Sequence, residues 1–204
     1  DGIGGASCVG ALEQQERSFG VEILQEHHVV RVHSRDHYHF VETASGDSYN
    51  AHALILATGS RYRGMGIPGE DEYIGAGVHF CAYWVGTFFR GDRVAVIGGG
   101  NSAAEECIFL TRFVEHVTLL VRWETLSASQ VLKEKVLGSD RIDVRTHTEA
   151  VAFRGEESKL KAVIVQDYWT GDRSEIDPAG VVVLIGQQPN SGFLAGCGVR
   201  LDRW

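Results

Sequence analysis

Apolar positions along this chain fall into two patterns. Nearly uninterrupted runs occur at Ala53–Ala57, Val94–Ile97, Val117–Val121 and Val181–Ile185. Their length and composition suit strands buried on both faces. Between residues 29 and 51 apolar and polar positions alternate instead. The stretches Val29–His33 and Tyr38–Thr43, the turn Ser45-Gly46-Asp47 and a strand over Ser48–Ala51 predict an antiparallel meander. A helix is predicted from about Ser7 to Phe19, with Gly20 as its stop, then a short strand at Val21–Leu24. Further helices are expected from the Gly98 turn to about Arg112 and over Ser127–Leu137. Strands recur at Ile142–Arg145, Ala150–Phe153 and Lys161–Gln166, with a hairpin turn at Gly171-Asp172. The sum is an α/β fold, a parallel sheet plus a β-meander.

The organising stretch is Arg93-Val-Ala-Val-Ile97-Gly98-Gly99-Gly100-Asn101-Ser102-Ala103. Strand, glycine turn and helix form a G-x-G-x-x-A dinucleotide fingerprint. Gly98 permits the tight turn, Gly100 lets the backbone approach a pyrophosphate, and Ala103 keeps helix and strand close. Phosphates then sit on the unpaired N–H groups of the helix N-terminus. Gly98, Gly99, Gly100, Asn101, Ser102 and Ala103 are therefore candidate cofactor-binding residues. The plain alternative is a tight strand–helix turn without a ligand. The strand at Val117–Val121, about 20 residues on, is what a βαβ nucleotide unit requires.

Composition narrows the partners. The chain has 204 residues, a net charge of −8, and is 44% hydrophobic and 23% charged. That balance argues against a nucleic-acid partner. No apolar run approaches a membrane span, and no signal peptide is evident. The first residue is Asp, so a piece of a longer chain is expected. Cys8, Cys81, Cys107 and Cys197 are widely spaced, with no C-x-x-C, which suits a reducing cytoplasm better than a disulfide scaffold or a zinc site.

Other stretches have two readings each. Gly2-Ile-Gly4-Gly5 imitates a nucleotide loop but follows no strand, so it reads as a loop into the first helix. His27, His28, His33, His37 and His39 crowd the meander, and His37 with His39 should share one strand face. Surface histidines explain them better than a metal. Thr58-Gly59 ends an apolar run, which fits either a close ligand approach or an ordinary turn. Pro68-Gly69-Glu70-Asp71 reads as a surface turn and linker.

Several segments together resemble the low-molecular-weight thioredoxin reductase family of FAD- and NADPH-dependent flavoproteins. They are Ala57-Thr58-Gly59, Ile67-Pro68-Gly69-Glu70, Cys81-Ala82 followed by Gly86 and an aromatic pair, Gly98 through Glu106, and Ile185-Gly186-x-x-Pro189-Asn190. The resemblance spans essentially the whole chain. It implies a Rossmann-like NAD(P)-binding domain inserted into a partial FAD-binding domain. Residues 1–64 would be partial FAD domain, 65–178 the NAD(P)H domain, and 179–204 the return to the FAD domain. Thr58 and Gly59 become candidate FAD contacts, and Glu105 and Glu106 candidates for setting nicotinamide position, against the plainer role of offsetting the helix dipole.

Three departures from the family qualify this. The family's opening glycine fingerprint and closing Gly-Asp motif are missing, so an incomplete chain that binds FAD poorly alone is expected. The redox motif C-A-x-C-D reads here Cys81-Ala82-Tyr83-Trp84-Val85. Dithiol exchange needs an attacking thiolate and a resolving partner. A tryptophan cannot be either, and a valine cannot relay a proton. Cys81 remains a candidate lone thiol, against the plainer reading of an inert cysteine. Trp84 would stack on a flavin or simply pack in the core. Finally, the family's arginine cluster for the 2′-phosphate is reduced to Arg122, with Ser127 and Ser129 as possible additions. Arginine at the end of the second strand favours NADPH over NADH, against the plain reading of Arg122 as an ordinary surface arginine.

The expected function is a thioredoxin-reductase-like flavoprotein oxidoreductase. It would pass hydride from NADPH to FAD and on to an unknown acceptor, without dithiol–disulfide exchange. The alternative is a nucleotide-binding redox sensor or regulatory module without turnover. A third option pairs Cys81 with a cysteine outside this sequence. FAD and NADP are the expected cofactors, a homodimer the expected assembly, and neither metal, membrane nor nucleic acid an expected partner.

Overall fold

The computed structural model describes residues 4–202, apart from the side chain of Trp84. The chain divides into two compact units, residues 1–59 with 189–204, and residues 60–188.

The larger unit is built on a five-stranded parallel sheet. In chain order it begins with β4 (Ser60–Tyr62), α2 (Glu70–Tyr73), β5 (Val78–His79), α3 (Ala82–Phe88) and β6 (Arg93–Ile97). (The first three strands and first helix belong to the smaller unit, below.) Next come α4 (Asn101–Leu110), β7 (His116–Leu120), α5 (Gln130–Leu137) and β8 (Ile142–Arg145). The unit closes with β9 (Thr148–Glu156), β10 (Lys159–Asp167), β11 (Arg173–Ile176), β12 (Gly180–Val183) and β13 (Gln187–Pro189), the last paired with β4. The parallel sheet runs β5-β12-β6-β7-β8, and β9, β10 and β11 form an antiparallel sheet of their own.

The buried run of β6 explains the layering. Successive side chains of a strand point to opposite faces. Val94 and Val96 join Val117, Leu119 and Val182 in a core shared with Ala103, Ala104, Cys107 and Leu110 of α4. Ala95 and Ile97 point the other way, into a second core with Phe153, Leu160, Val163 and Val165 of the antiparallel sheet. The result is three layers, helices on one face of the parallel sheet and β-sheet on the other. Fully burying one such aliphatic side chain contributes about 1.5–3 kcal/mol, so this double core dominates the stability of the unit.

The smaller unit holds α1 (Gly5–Ser18), the meander β1 (Val29–Arg35), β2 (Tyr38–Thr43) and β3 (Ser48–Ala51), and a 3₁₀ turn at Gly192–Leu194 that packs on β1. α1 buries no residue.

Several expectations fail in informative ways. Ala53–Ala57 is not a strand, and neither is Val21–Leu24. Among the described residues neither run has a neighbouring strand to complete its hydrogen bonds, and Ile55 is 90% exposed. His37 lies in the turn after β1 rather than on a strand face with His39. The meander's histidines have local partners: His39 Nδ1 meets Ser34 Oγ at 2.8 Å, and His33 stacks on Phe40. No cluster of metal-ligating residues occurs among the described residues. Glu70 is not in a surface linker. It is only 5% exposed, and its carboxylate accepts from the N–H groups of Met65 (2.9 Å) and Gly66 (2.7 Å). Gly69 before it has φ 84°, and a Cβ there would collide with the Phe153 carbonyl oxygen. Among the described residues no helix is long and apolar enough to cross a membrane. Residues 2 and 3 of the Gly2-Ile-Gly4 loop, and the Trp84 side chain, lie outside the described residues.

Candidate nucleotide site

The site begins where β6 ends. Gly98 has φ 148°, and a Cβ there would collide with the Leu184 carbonyl oxygen and lie 3.1 Å from Ala103 Cβ. Only glycine lets β6, the end of β12 and α4 meet this closely. Gly100 is different. It caps α4 in an extended conformation, and a Cβ there would meet nothing nearer than Ser127 Oγ at 3.9 Å. Gly98 is thus required by the fold, while the space above Gly100 is free. No side chain caps α4, so its first N–H groups face outward.

The loop before α5 is folded onto this turn. The Gly99 carbonyl accepts from the N–H groups of Ser127 (2.8 Å) and Ala128 (3.1 Å) and from the Ser127 hydroxyl (3.2 Å). Asn101 Oδ1 accepts from Ser129 N–H at 2.8 Å. That bond places Ser129 as the cap of α5, which therefore starts at Gln130 rather than Ser127.

A cavity of about 660 Å³ opens over the turn, at the C-terminal ends of β6 and β7. Such crevices are where open α/β sheets bind ligands. Gly98, Gly99, Gly100, Asn101, Ser102 and Arg122 all line it, with Ser127. Ala103 is fully buried beneath. Thr58 and Gly59 are not lining residues and belong to the smaller unit. There Asn190 braces them, donating from Nδ2 to the Thr58 carbonyl and from its N–H to the Gly59 carbonyl, each at 3.0 Å.

Other lining residues carried no signal in the sequence: Met65, Trp123, Thr148 and Glu149. Thr148 and Glu149 arrive through long-range pairing, Thr148 N–H donating to the Val121 carbonyl at 3.1 Å. Glu106 also lines the cavity. Its Oε2 accepts from the Ala82 N–H at 2.6 Å, at the start of α3. Burial pushes its carboxyl above the ordinary range, the Ala82 N–H opposes that, and Glu105 adds a smaller upward push. Glu105 does not line the cavity.

Cys81 stands half-buried at the start of α3, outside the cavity lining. Two residues before it, His79 packs edge-on against Phe89, its buried Nε2 lacks a hydrogen-bond partner, and burial pulls its pKa down. Cys107 is fully buried on α4, and burial, helped by the Glu106 charge, pushes its thiol far up. It is inert in the folded state.

A comparison of the whole chain with known families decides its ancestry: residues 4–204 match the model of the pyridine nucleotide-disulphide oxidoreductases. The chain belongs to that family. Among other members, thioredoxin reductase of Treponema pallidum is 38% identical over 192 residues, covering 94% of this chain and 62% of that protein. The bifunctional thioredoxin reductase/thioredoxin of Mycobacterium leprae is 38% identical over 195 residues, covering 96% of this chain and 42% of that protein. The crystal structure of Lactococcus lactis thioredoxin reductase superposes with a TM-score of 0.78 at 30% identity, covering 96% of this chain and 64% of that one. This family member therefore spans less than two thirds of the length of these relatives, and within that span it is thioredoxin-reductase-like.

The two cofactors of the family fit this chain unequally. The cavity over Gly100, the outward N–H groups of α4 and the guanidinium of Arg122 suit a dinucleotide phosphate. Thr58 and Gly59 lie on an exposed stretch, and the described residues do not enclose a flavin there.

Proposed function

We propose that this protein is a thioredoxin-reductase-like oxidoreductase that oxidises NADPH and passes the electrons to an acceptor of unassigned chemistry; FAD is the carrier that the family resemblance implies, and the described residues do not by themselves enclose it. The observation that carries the reading is the cavity over Gly98–Ser102, open above Gly100 and bordered by Arg122. In this reading residues 65–178 are the NAD(P)H domain, and residues 1–64 and 179–204 belong to the FAD domain.

Bound NADPH would supply a hydride. The chain's own residues would do the rest. The N–H groups at the start of α4 and the Gly100 backbone hold the pyrophosphate, and Arg122 holds the 2′-phosphate. Glu106, which accepts from the Ala82 N–H and lines the cavity, would be placed to meet an amide donor of the nicotinamide. Dithiol exchange through Cys81 is not part of the proposal, because Val85 and Trp84 stand where a proton relay and a second thiol are needed. Replacing Cys81 with serine, without loss of a measured disulfide reductase activity, would remove the reading that pairs it with a cysteine elsewhere.

The test is an anaerobic absorbance spectrum of the whole protein before and after NADPH. Flavin bands that bleach support the oxidoreductase. Nucleotide binding with no flavin bands overturns it and favours the regulatory module, which the lost thiol pair also suits.

A further inference from the structure

The mouth of the cavity carries a feature that the fingerprint does not explain. Arg122 and Trp123 follow β7 and both line the cavity. The Arg122 guanidinium carbon lies over the Trp123 ring, 4.6 Å from its centroid. Among the described residues Arg122 makes no ion pair, although Glu124 is two residues away. Trp123 is 56% exposed, yet it is braced. Its carbonyl accepts from His147 N–H at 3.3 Å, and its ring packs on Tyr168 at 6.0 Å. Tyr168 N–H in turn donates to the His147 carbonyl at 2.6 Å, and Trp169 Nε1 donates to His147 Nδ1 at 2.5 Å. The turn carrying these aromatics is closed by Asp167, whose carboxylate accepts from the N–H groups of Trp169 and Thr170, each at 2.8 Å. So large an exposed aromatic investment around one unpaired arginine is not needed for the core.

We propose that Trp123 is the positioning residue for nucleotide choice: its braced indole holds the Arg122 guanidinium by its face, leaving the N–H edge for the 2′-phosphate of an adenine dinucleotide. A free surface arginine samples many rotamers and surrenders that freedom on binding. A guanidinium stacked on an aromatic face has already lost it. One pre-set arginine thus serves where a cluster would otherwise be required. The inference rests on the nucleotide reading above, which already gives the 2′-phosphate to Arg122, and adds the residue that positions that arginine.

The experiment is calorimetric titration of the whole protein with 2′,5′-ADP and, separately, with 5′-AMP, which differ by the 2′-phosphate. The unaltered protein should bind 2′,5′-ADP at least about tenfold more tightly. Arg122→Met should abolish that preference and leave 5′-AMP binding within about twofold. Trp123→Leu should reduce the preference by about three- to fivefold with 5′-AMP unchanged, and Trp123→Phe should restore most of it. The inference is overturned if Trp123→Leu keeps the full preference, or weakens both ligands equally, which is the mark of a purely structural or adenine-stacking role. It is also overturned if the unaltered protein binds the two ligands equally. If neither ligand binds the unaltered protein, the nucleotide reading itself fails.

Discussion

The two units of this chain use similar sequence patterns to opposite ends. In the larger one, the apolar run of β6 is buried on both faces, between helices and a second sheet. In the smaller one, the equally apolar run at Ala53–Ala57 lies open, as do Phe19 (79% exposed) and Val21. Val32, Thr43 and Leu194 are its buried residues among those described. An apolar run becomes a strand only when neighbours complete its hydrogen bonds and cover its faces. The lesson is that a local pattern states what a segment can do, and its neighbours decide whether it does.

Paired substitutions in the two units test the contrast directly. Leu119→Ala, in the double core, should cost about 2–5 kcal/mol by chemical denaturation. In this 204-residue chain Ile55→Ser should change stability by less than about 0.5 kcal/mol. Equal losses would show that Ile55 is buried in solution and that the contrast is false. Gly98→Ala comes next. The added methyl would collide with the Leu184 carbonyl oxygen from a backbone at φ 148°. A loss of about 2–4 kcal/mol is expected, with nucleotide binding falling alongside.

Arg141 supplies a third test. Its guanidinium donates to the backbone carbonyls of Glu115 (3.2 Å), Thr111 (2.5 Å) and Val114, satisfying the end of α4 and the turn after it. Arg141→Met should cost about 1–3 kcal/mol by thermal melting. A neutral result would mean that water serves these carbonyls as well.

The smallest effect concerns Glu106. Its carboxyl is held above its ordinary value by burial, so ionising it opposes folding. The cost is absent below the unfolded-state pKa, and sets in as pH rises towards the raised folded value. Glu106→Gln keeps an acceptor for the Ala82 N–H. It should therefore raise stability by less than about 1 kcal/mol at neutral pH and have no effect near pH ~4. A destabilising effect at neutral pH would show that the negative charge itself is needed.

What could be read from the sequence follows the same divide. The β6–turn–α4 unit was legible because its determinants are contiguous: the apolar run, three glycines and the small residues behind them. So was β8, and so was the Ser48–Ala51 strand. Glu70 reads as a surface linker residue in the sequence, since what buries it, the Met65 and Gly66 amides and the close pass of Phe153, is set by folding. Arg122 announced itself by position at the end of β7. Trp123 did not, because its partners sit at residues 147 and 168.

In the proposed function the space above Gly100 receives the pyrophosphate of NADPH. Gly100 has an ordinary negative φ, and a side chain there meets open space. Gly100→Val should therefore leave the fold standing while filling that space. The measurement is calorimetric titration of the unaltered protein and this variant with NADPH, with a thermal melt of each. Binding by the unaltered protein is expected, with a loss of about a hundredfold or more in the variant and a loss of stability no larger than about 1 kcal/mol. A Gly100→Val protein that binds NADPH as well as the original would contradict it.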